Sequence, residues 1–302
     1  NDGVVSEVCC LINYIENLEK IENCCSKYPQ EKILKKKLVI KNEDMPNILY
    51  PTNIEQLLRN PYGFFFRKIL GIRKEFDIFS DVGQAEFGKI IHEFIEIITK
   101  TNSEPSKIIE DIFDKKNIPS ANRNLWKDSI MVLSEKIVNL NQNVRINNGE
   151  IFCEQIGKIK IDSIPNLEIA AIADRIEIYE SKIVIADFKT GSVPSFVDVA
   201  SSKSPQLIIE AIILVNNGFE GILYQNQEIE LVFYKLKTSD PYIEPKRKTI
   251  SYEEIIEHQR GLVEFLNYYY KNEKSVFNIE SMPDFWKQAY DDYQYLNRYS
   301  PL

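Results

Sequence analysis

The sequence predicts an α/β fold, with α-helices before, between and after a group of β-strands. Three observations carry this. Phe87, Ile91, Phe94 and Ile98 step by four, three and four residues, which puts them on one stripe of a helix. From Ile151 to Phe188 the pattern alternates or runs apolar with β-branched residues, as strands do. Helix punctuation then returns, with Ser204 and Pro205 before and Gly218 after a run of about fourteen residues.

Taken in order, residues 4 to 27 carry apolar positions at helical spacing, including Val8, Leu11, Ile15 and Leu18. They predict one or two helices, followed by a basic connector holding Lys32, Lys35, Lys36, Lys37 and Lys41. Residues 1–45 are therefore read as a helical attachment and residues 46–302 as the main domain. Thr52 to Glu55 reads as a capping box for a helix towards Pro61, and an aromatic and basic stretch, Tyr62 to Lys74, follows. Helices are expected over Gln84 to Lys100 and within Ser106 to Asn143. Strands are expected over Ile151 to Ile161, Leu167 to Tyr179, Lys182 to Phe188 and Glu228 to Leu236. Ser251 to Glu254 is a second capping box, opening a helix to about Tyr270, and Asp284 to Asn297 predicts a last one.

Bulk properties narrow the function. With 302 residues, 44% hydrophobic and 27% charged, the chain can bury a sizeable core. No apolar run reaches the roughly 18 to 20 residues that cross a bilayer, and Asn1 to Glu7 lacks signal-peptide character, so a soluble, cytoplasmic protein with no membrane partner is expected. Cys9, Cys10, Cys24, Cys25 and Cys153 are odd in number and lack both CxxC spacing and a disulfide-scaffold pattern, which reads as thiols in a reducing compartment. The formal charge of −8 argues against a generally basic, phosphate-coating surface and leaves room only for local strips such as Lys246, Arg247 and Lys248.

The chemistry lies where acids interrupt apolar faces. In a strand over Lys182 to Lys189, the residues Ile183, Ile185, Asp187 and Lys189 share one side. In the preceding strand Ala170, Ile172, Asp174, Ile176 and Ile178 are expected to share one too. A carboxylate there costs several kcal/mol (roughly) unless a cation or donor compensates it. If Glu180 and Ser181 form the turn, pairing of Tyr179 with Lys182 carries Asp174 opposite Asp187, with their Cβ atoms about 4.5 to 5.5 Å apart. That spacing suits two carboxylates sharing a hard divalent ion, with Lys189 within reach. The bland alternative is an exposed Asp187–Lys189 pair, with Asp174 held by Arg175 or another base.

His92 borders the apolar stripe of its helix, one turn after Gly88, whose missing side chain permits close backbone approach. His258 is read as an ordinary helix residue. Gln206 and Glu210 lie one turn apart and are open to two readings: facing the acidic hairpin, or capping and solvation.

Gly88 to His92 as GxxxH, Ala173-Asp174-Arg175-Ile176, Asp187-Phe188-Lys189-Thr190-Gly191 and Pro205-Gln206-Leu207 with Glu210 together resemble a family, the PD-(D/E)xK nucleases of the RecB type. The similarity extends to the C-terminal nuclease domain of AddB subunits, because Tyr50 to Tyr62 is similar to their opening helix and Tyr290 to Arg298 to their closing segment. It implies a restriction-endonuclease-like mixed β-sheet flanked by α-helices. It further implies His92, Asp174 and Asp187 as metal ligands with the Phe188 carbonyl beside them, Lys189 as catalytic lysine, Gln206 as an orienting residue and Glu154 as a further acidic member.

The resemblance implies a magnesium- or manganese-dependent deoxyribonuclease, an exonuclease acting on DNA during break processing, with a helicase of the AddA type as partner. Two departures matter. Iron-sulfur members carry a cysteine before the Pro-Tyr of the opening helix and three near the C-terminus; here Asn60 stands first and no cysteine follows Cys153, so no iron-sulfur cluster is expected. No GxxxxGK[ST] loop occurs, so ATP-driven unwinding would come from another chain. The alternatives are a catalytically silent scaffold of the same fold, or a stand-alone restriction or mobile-element nuclease.

Overall fold

The computed structural model describes residues 38–72, 83–101, 103–237, 242–271 and 274–277. The helices expected over residues 4–27 and 284–297 lie outside these. In chain order come β1 (Leu38–Lys41), β2 (Ile48–Leu49), α1 (Pro51–Arg59) and α2 (Pro61–Phe64), which runs into a π-helical turn at Phe65–Ile69. Next are α3 (Gln84–Lys100), α4 (Pro105–Lys115) and α5 (Ser120–Ile146), then β3 (Glu150–Lys160), β4 (Glu168–Ile178) and β5 (Lys182–Lys189). The chain continues with α6 (Phe196–Ala200), α7 (Gln206–Val215), β6 (Glu228–Leu236), β7 (Ile243–Ile250), α8 (Tyr252–Tyr270) and β8 (Lys274–Phe277).

Strands β3, β4, β5, β6 and β7 lie side by side, and β2 adds a short parallel rung beside the start of β4. The sheet is mixed: β4 is antiparallel to β3 and β5, β5 is parallel to β6, and β6 is antiparallel to β7. The parallel pair needs a crossover, which α7 supplies. Mixed sheet and flanking helices are the fold expected. None of the described helices is long and apolar enough to cross a membrane.

Both faces of β5 are buried, which explains its nearly unbroken apolar run. Ile183 and Ile185 join Ile54, Leu57, Leu207, Ile212 and Leu266 in one core, under α1, α7 and α8. Val184, Ala186 and Phe188 join Phe94, Ile109, Trp126 and Ile130 in the other, under α3, α4 and α5. Each of the buried Val, Leu, Ile and Phe side chains contributes about 1.5 to 3 kcal/mol by leaving water. The central strand is thus clamped between two helical layers.

Several boundaries move. The first helix starts at Pro51, with Pro at its first position and the Tyr50 N–H donating to Asn53 Oδ1 at 3.2 Å, so Thr52 is not its cap. α7 starts at Gln206, one residue later than Ser204 and Pro205 suggest, and at its end Asn217 takes the left-handed conformation (φ 54°). Gly218 serves a different end: a Cβ there would sit 2.5 Å from the Lys158 carbonyl oxygen, so β3 can approach only because none is present. The Ser251–Glu254 capping box forms as expected. Leu38–Lys41, read as connector, pairs with β8, and the basic Lys246–Lys248 stretch lies in β7, an edge strand containing Pro245.

Candidate active site

The β4–β5 hairpin closes through a two-residue turn, with the Tyr179 N–H donating to the Lys182 carbonyl at 2.8 Å. Register follows as expected, Ile178 facing Ile183 and Arg175 facing Ala186. There the ladder ends. One position further on, where Asp174 would meet Asp187, the strands part, and Asp174 Oδ2 accepts the Phe188 N–H at 2.9 Å.

The face expected for β4 needs correction. Ala171, Ala173 and Ile176 all pack into the core under α7, which strict alternation forbids, so the pattern breaks at Asp174 and Arg175. Both side chains turn to the other helical layer: Asp174 towards His92 of α3, Arg175 towards Asn141 of α5. Ile176 and Ile178 therefore do not share the side of Asp174. The break coincides with Glu154 on β3, a non-glycine residue at φ 51° within a strand, and Glu154 and Asp174 skip the pairing their neighbours keep. Such backbone strain concentrates at functional sites. Arg175 is spent on Glu177 and Asn141, so it is not what holds Asp174.

At this break, His92, Glu154 and Asp174 offer ligand atoms all within 4.8 Å of one another. Helix α3 passes close to the strand ends at Gly88, where a Cβ would stand a tight 3.1 Å from Thr190 Oγ1. One turn on, His92 Nε2 donates to the Phe188 carbonyl at 2.9 Å while Nδ1 lies 3.4 Å from Asp174 Oδ2. Burial of the ring disfavours its charge, but Asp174, helped by Asp187 and Glu154, outweighs this and raises the His92 pKa. Burial and the Asp174 charge push Glu154 up to about 7. The trio borders an open groove of about 660 Å³ that also includes Lys89, Glu96 and Ile172.

Asp187 is not within this trio. It is 1% exposed and turned to Lys189, whose Nζ donates to Asp187 Oδ1 at 2.8 Å and to Gln206 Oε1 at 3.2 Å. Burial and the nearby Asp174 raise Asp187 to about 6 despite the lysine. The lysine ammonium loses stability to burial but gains more from Asp187, so its pKa rises and it stays cationic. Glu210, one turn beyond Gln206, is completely buried, which removes the capping and solvation readings for it. Asp187 Oδ2 makes no hydrogen bond among the described residues, and burial raises the Glu210 pKa well above the usual carboxylate range, helped by Asp187 and Asp174 and opposed by Gln206 and Lys189. The signal for Glu210 was available in the sequence, because it is the lone acid in the otherwise apolar run Leu207 to Val215. His258 lines a separate, mainly apolar cavity of about 210 Å³ with Leu58, Ile208 and Phe265.

The donor set suits a divalent cation. Carboxylate oxygens and an imidazole nitrogen converge from three elements, and a buried Asp187 oxygen beside them lacks a partner. The structure brings His92, Asp174 and the Phe188 backbone together, adds Glu154, and sets Asp187 with Lys189 and Gln206.

Comparison with known proteins adds a sequence relationship. A profile of the PD-(D/E)XK nuclease superfamily matches residues 49–284. Uncharacterised proteins of Rickettsia bellii and Rickettsia conorii are each 30% identical, over 276 and 300 residues. These matches take in 83% and 87% of this chain but 32% and 35% of the relatives, so the chain spans roughly a third of their length. A solved structure from Eubacterium rectale, provisionally named an exonuclease, overlays with a TM-score of 0.43 at 9% identity, covering 80% of this chain and 85% of that one.

Proposed function

The chain belongs to the PD-(D/E)XK nuclease superfamily, and from that premise we propose that it is a magnesium- or manganese-dependent deoxyribonuclease. The observation that carries this reading is the meeting of His92, Glu154 and Asp174 at the break in β4, beside the Asp187–Lys189 pair. His92, Glu154 and Asp174, with the Phe188 carbonyl beside them, would hold the cation, and Asp187 would border it. When bound, the ion polarises the phosphodiester and lowers the pKa of water. Asp187 and Gln206 fix Lys189 Nζ, and its lasting positive charge offsets the negative charge that grows on the phosphate. Because Lys189 remains an ammonium, its part is electrostatic and not that of a base.

The finer reading is an AddB-like exonuclease module in the cytoplasm that trims DNA strands during break processing, fed by a helicase of the AddA type. The sequence resemblance supports it, as does the fact that the Rickettsia relatives extend well past the matched stretch. Fold alone does not specify a substrate. The test is incubation of the purified chain with single- and double-stranded DNA, with and without magnesium or manganese. Asp187→Ala and Lys189→Ala are each expected to abolish cutting while circular dichroism stays unchanged; cleavage that persists in both defeats the assignment.

A further inference from the structure

Beside the His92, Glu154 and Asp174 cluster, the β3–β4 ribbon carries two isoleucines that face solvent. Ala171 and Ala173 of β4 are sunk in the core under α7, so Ile172 between them turns to the opposite side, where it lines the same groove as the three ligand candidates. Ile156 of β3 is its paired partner and shares its side, while the following residue, Gly157, packs against Phe219 of the core. Ile156 is 64% exposed and Ile172 43%. Single exposed isoleucines are ordinary, but two in register at the lip of a groove make an apolar platform. The next pair on that face, Lys158 and Ala170, lies about 6 to 7 Å further along the ribbon and adds a cation. The Lys158 side chain is 66% exposed and only loosely tied to Glu168, at 3.7 Å.

We propose that Ile156, Ile172 and Lys158 are positioning residues for the DNA strand: the isoleucine pair takes the apolar face of an unstacked base beside the scissile phosphate, and Lys158 takes a phosphate further along. The inference takes its substrate from the nuclease reading above. Continuity supports it, because Ile172 borders the groove that holds Asp174, so a strand whose phosphate reaches the cluster passes over the platform. Charge supports it too. The formal charge is −8, and the groove lysines Lys89 and Lys115 are tied to Glu86 and Glu93 at 2.9 and 2.7 Å. Phosphate attraction, the main hold of most DNA-binding surfaces, is therefore modest here, and apolar contact with a base supplies what it lacks. Isoleucine is among the side chains that proteins set against base faces, and such a face is open only where the base has left its stack.

The test compares two fluorescent strands of equal length, one of thymidine nucleotides and one built wholly of abasic units, by anisotropy on the full-length chain with a chelator present to prevent cleavage. Wild type is expected to prefer the thymidine strand by about fivefold to fiftyfold. The Ile156→Ser, Ile172→Ser double variant should lose that preference while its affinity for the abasic strand stays as it was. Lys158→Gln should weaken both strands alike and flatten the slope of log affinity against log salt by about 0.7, one phosphate contact's share. A wild type without the preference, or a double variant that keeps it, overturns the platform. An unchanged salt slope in Lys158→Gln overturns the part given to Lys158. Cleavage in manganese is scored separately: a preference without cleavage defeats the nuclease reading and leaves the platform, and cleavage without a preference does the reverse. Should circular dichroism show the double variant unfolded, Ile156→Phe decides, since a wider apolar surface should raise the preference and an unaltered one overturns the proposal.

Discussion

The backbone N–H of Phe188 donates to Oδ2 of Asp174 at 2.9 Å, just past the last paired rung of β4 and β5. Asp174 therefore has a structural duty beside its proposed chemical one. Asp174→Ala is expected to leave that N–H unsatisfied and cost about 1 to 3 kcal/mol of stability. Asp174→Asn keeps an acceptor, so its denaturation midpoint should stay near wild type while manganese affinity falls about tenfold or more. Equal stability losses in both variants, measured by denaturant titration, would rule out this division of roles.

Gln206 accepts from Lys189 Nζ at 3.2 Å. Removing it frees the ammonium to swing while leaving Asp187 and the core in place. Gln206→Ala should lower kcat by about 10- to 100-fold, the scale of a misplaced catalytic group, with stability within about 0.5 kcal/mol of wild type. Unchanged turnover would remove Gln206 from the site.

The raised carboxyls set a pH dependence. Glu154, at about 7, and Asp187, at about 6, hold protons in the folded, metal-free protein under conditions where the unfolded chain has released them. Stability from this source is complete below their unfolded values of about 4 and is lost as pH rises through about 6 to 7. The raised His92 acts in the same direction. The Tm of metal-free protein should fall between about pH 5 and pH 8, Glu154→Gln should flatten the upper part of that fall, and manganese should reverse it. A metal-free Tm that climbs across this window contradicts the assignment.

Arg175 is fully buried, donating through Nε to Glu177 Oε1 and through Nη1 to Asn141 Oδ1, each at 2.6 Å, while the Tyr179 hydroxyl donates to Glu177 Oε2 at 2.8 Å. Glu177→Leu strands the guanidinium and should cost about 3 to 5 kcal/mol. Adding Arg175→Met to Glu177→Leu should recover most of that loss, because both charges then leave together. Chemical denaturation of the single and double variants checks it, and an additive double variant would refute the coupling.

Legibility in the sequence followed the physics of each element. Hairpin register could be read because a two-residue turn and period-two alternation leave little freedom, and Arg175 indeed faces Ala186. The face of β4 could not, since a glutamate is an unexpected occupant of φ 51° and the alternation rule assumes an unbroken pleat. β7 was hidden because edge strands carry charge and proline, and IEPKRKTI resembles a solvated loop. Glu210 was open to two readings because helical spacing places a residue on a stripe without saying that every stripe is covered. Here α7 is buried from Leu207 to Leu214.

The conformation of Glu154 bears on how this chain would age under selection. A residue forced into a left-handed turn inside a strand relaxes when glycine or asparagine replaces it, so a lineage that no longer needed the carboxylate could gain stability by a single codon change. A glycine or asparagine at this position in a relative would mark a copy that has exchanged the carboxylate for a relaxed backbone.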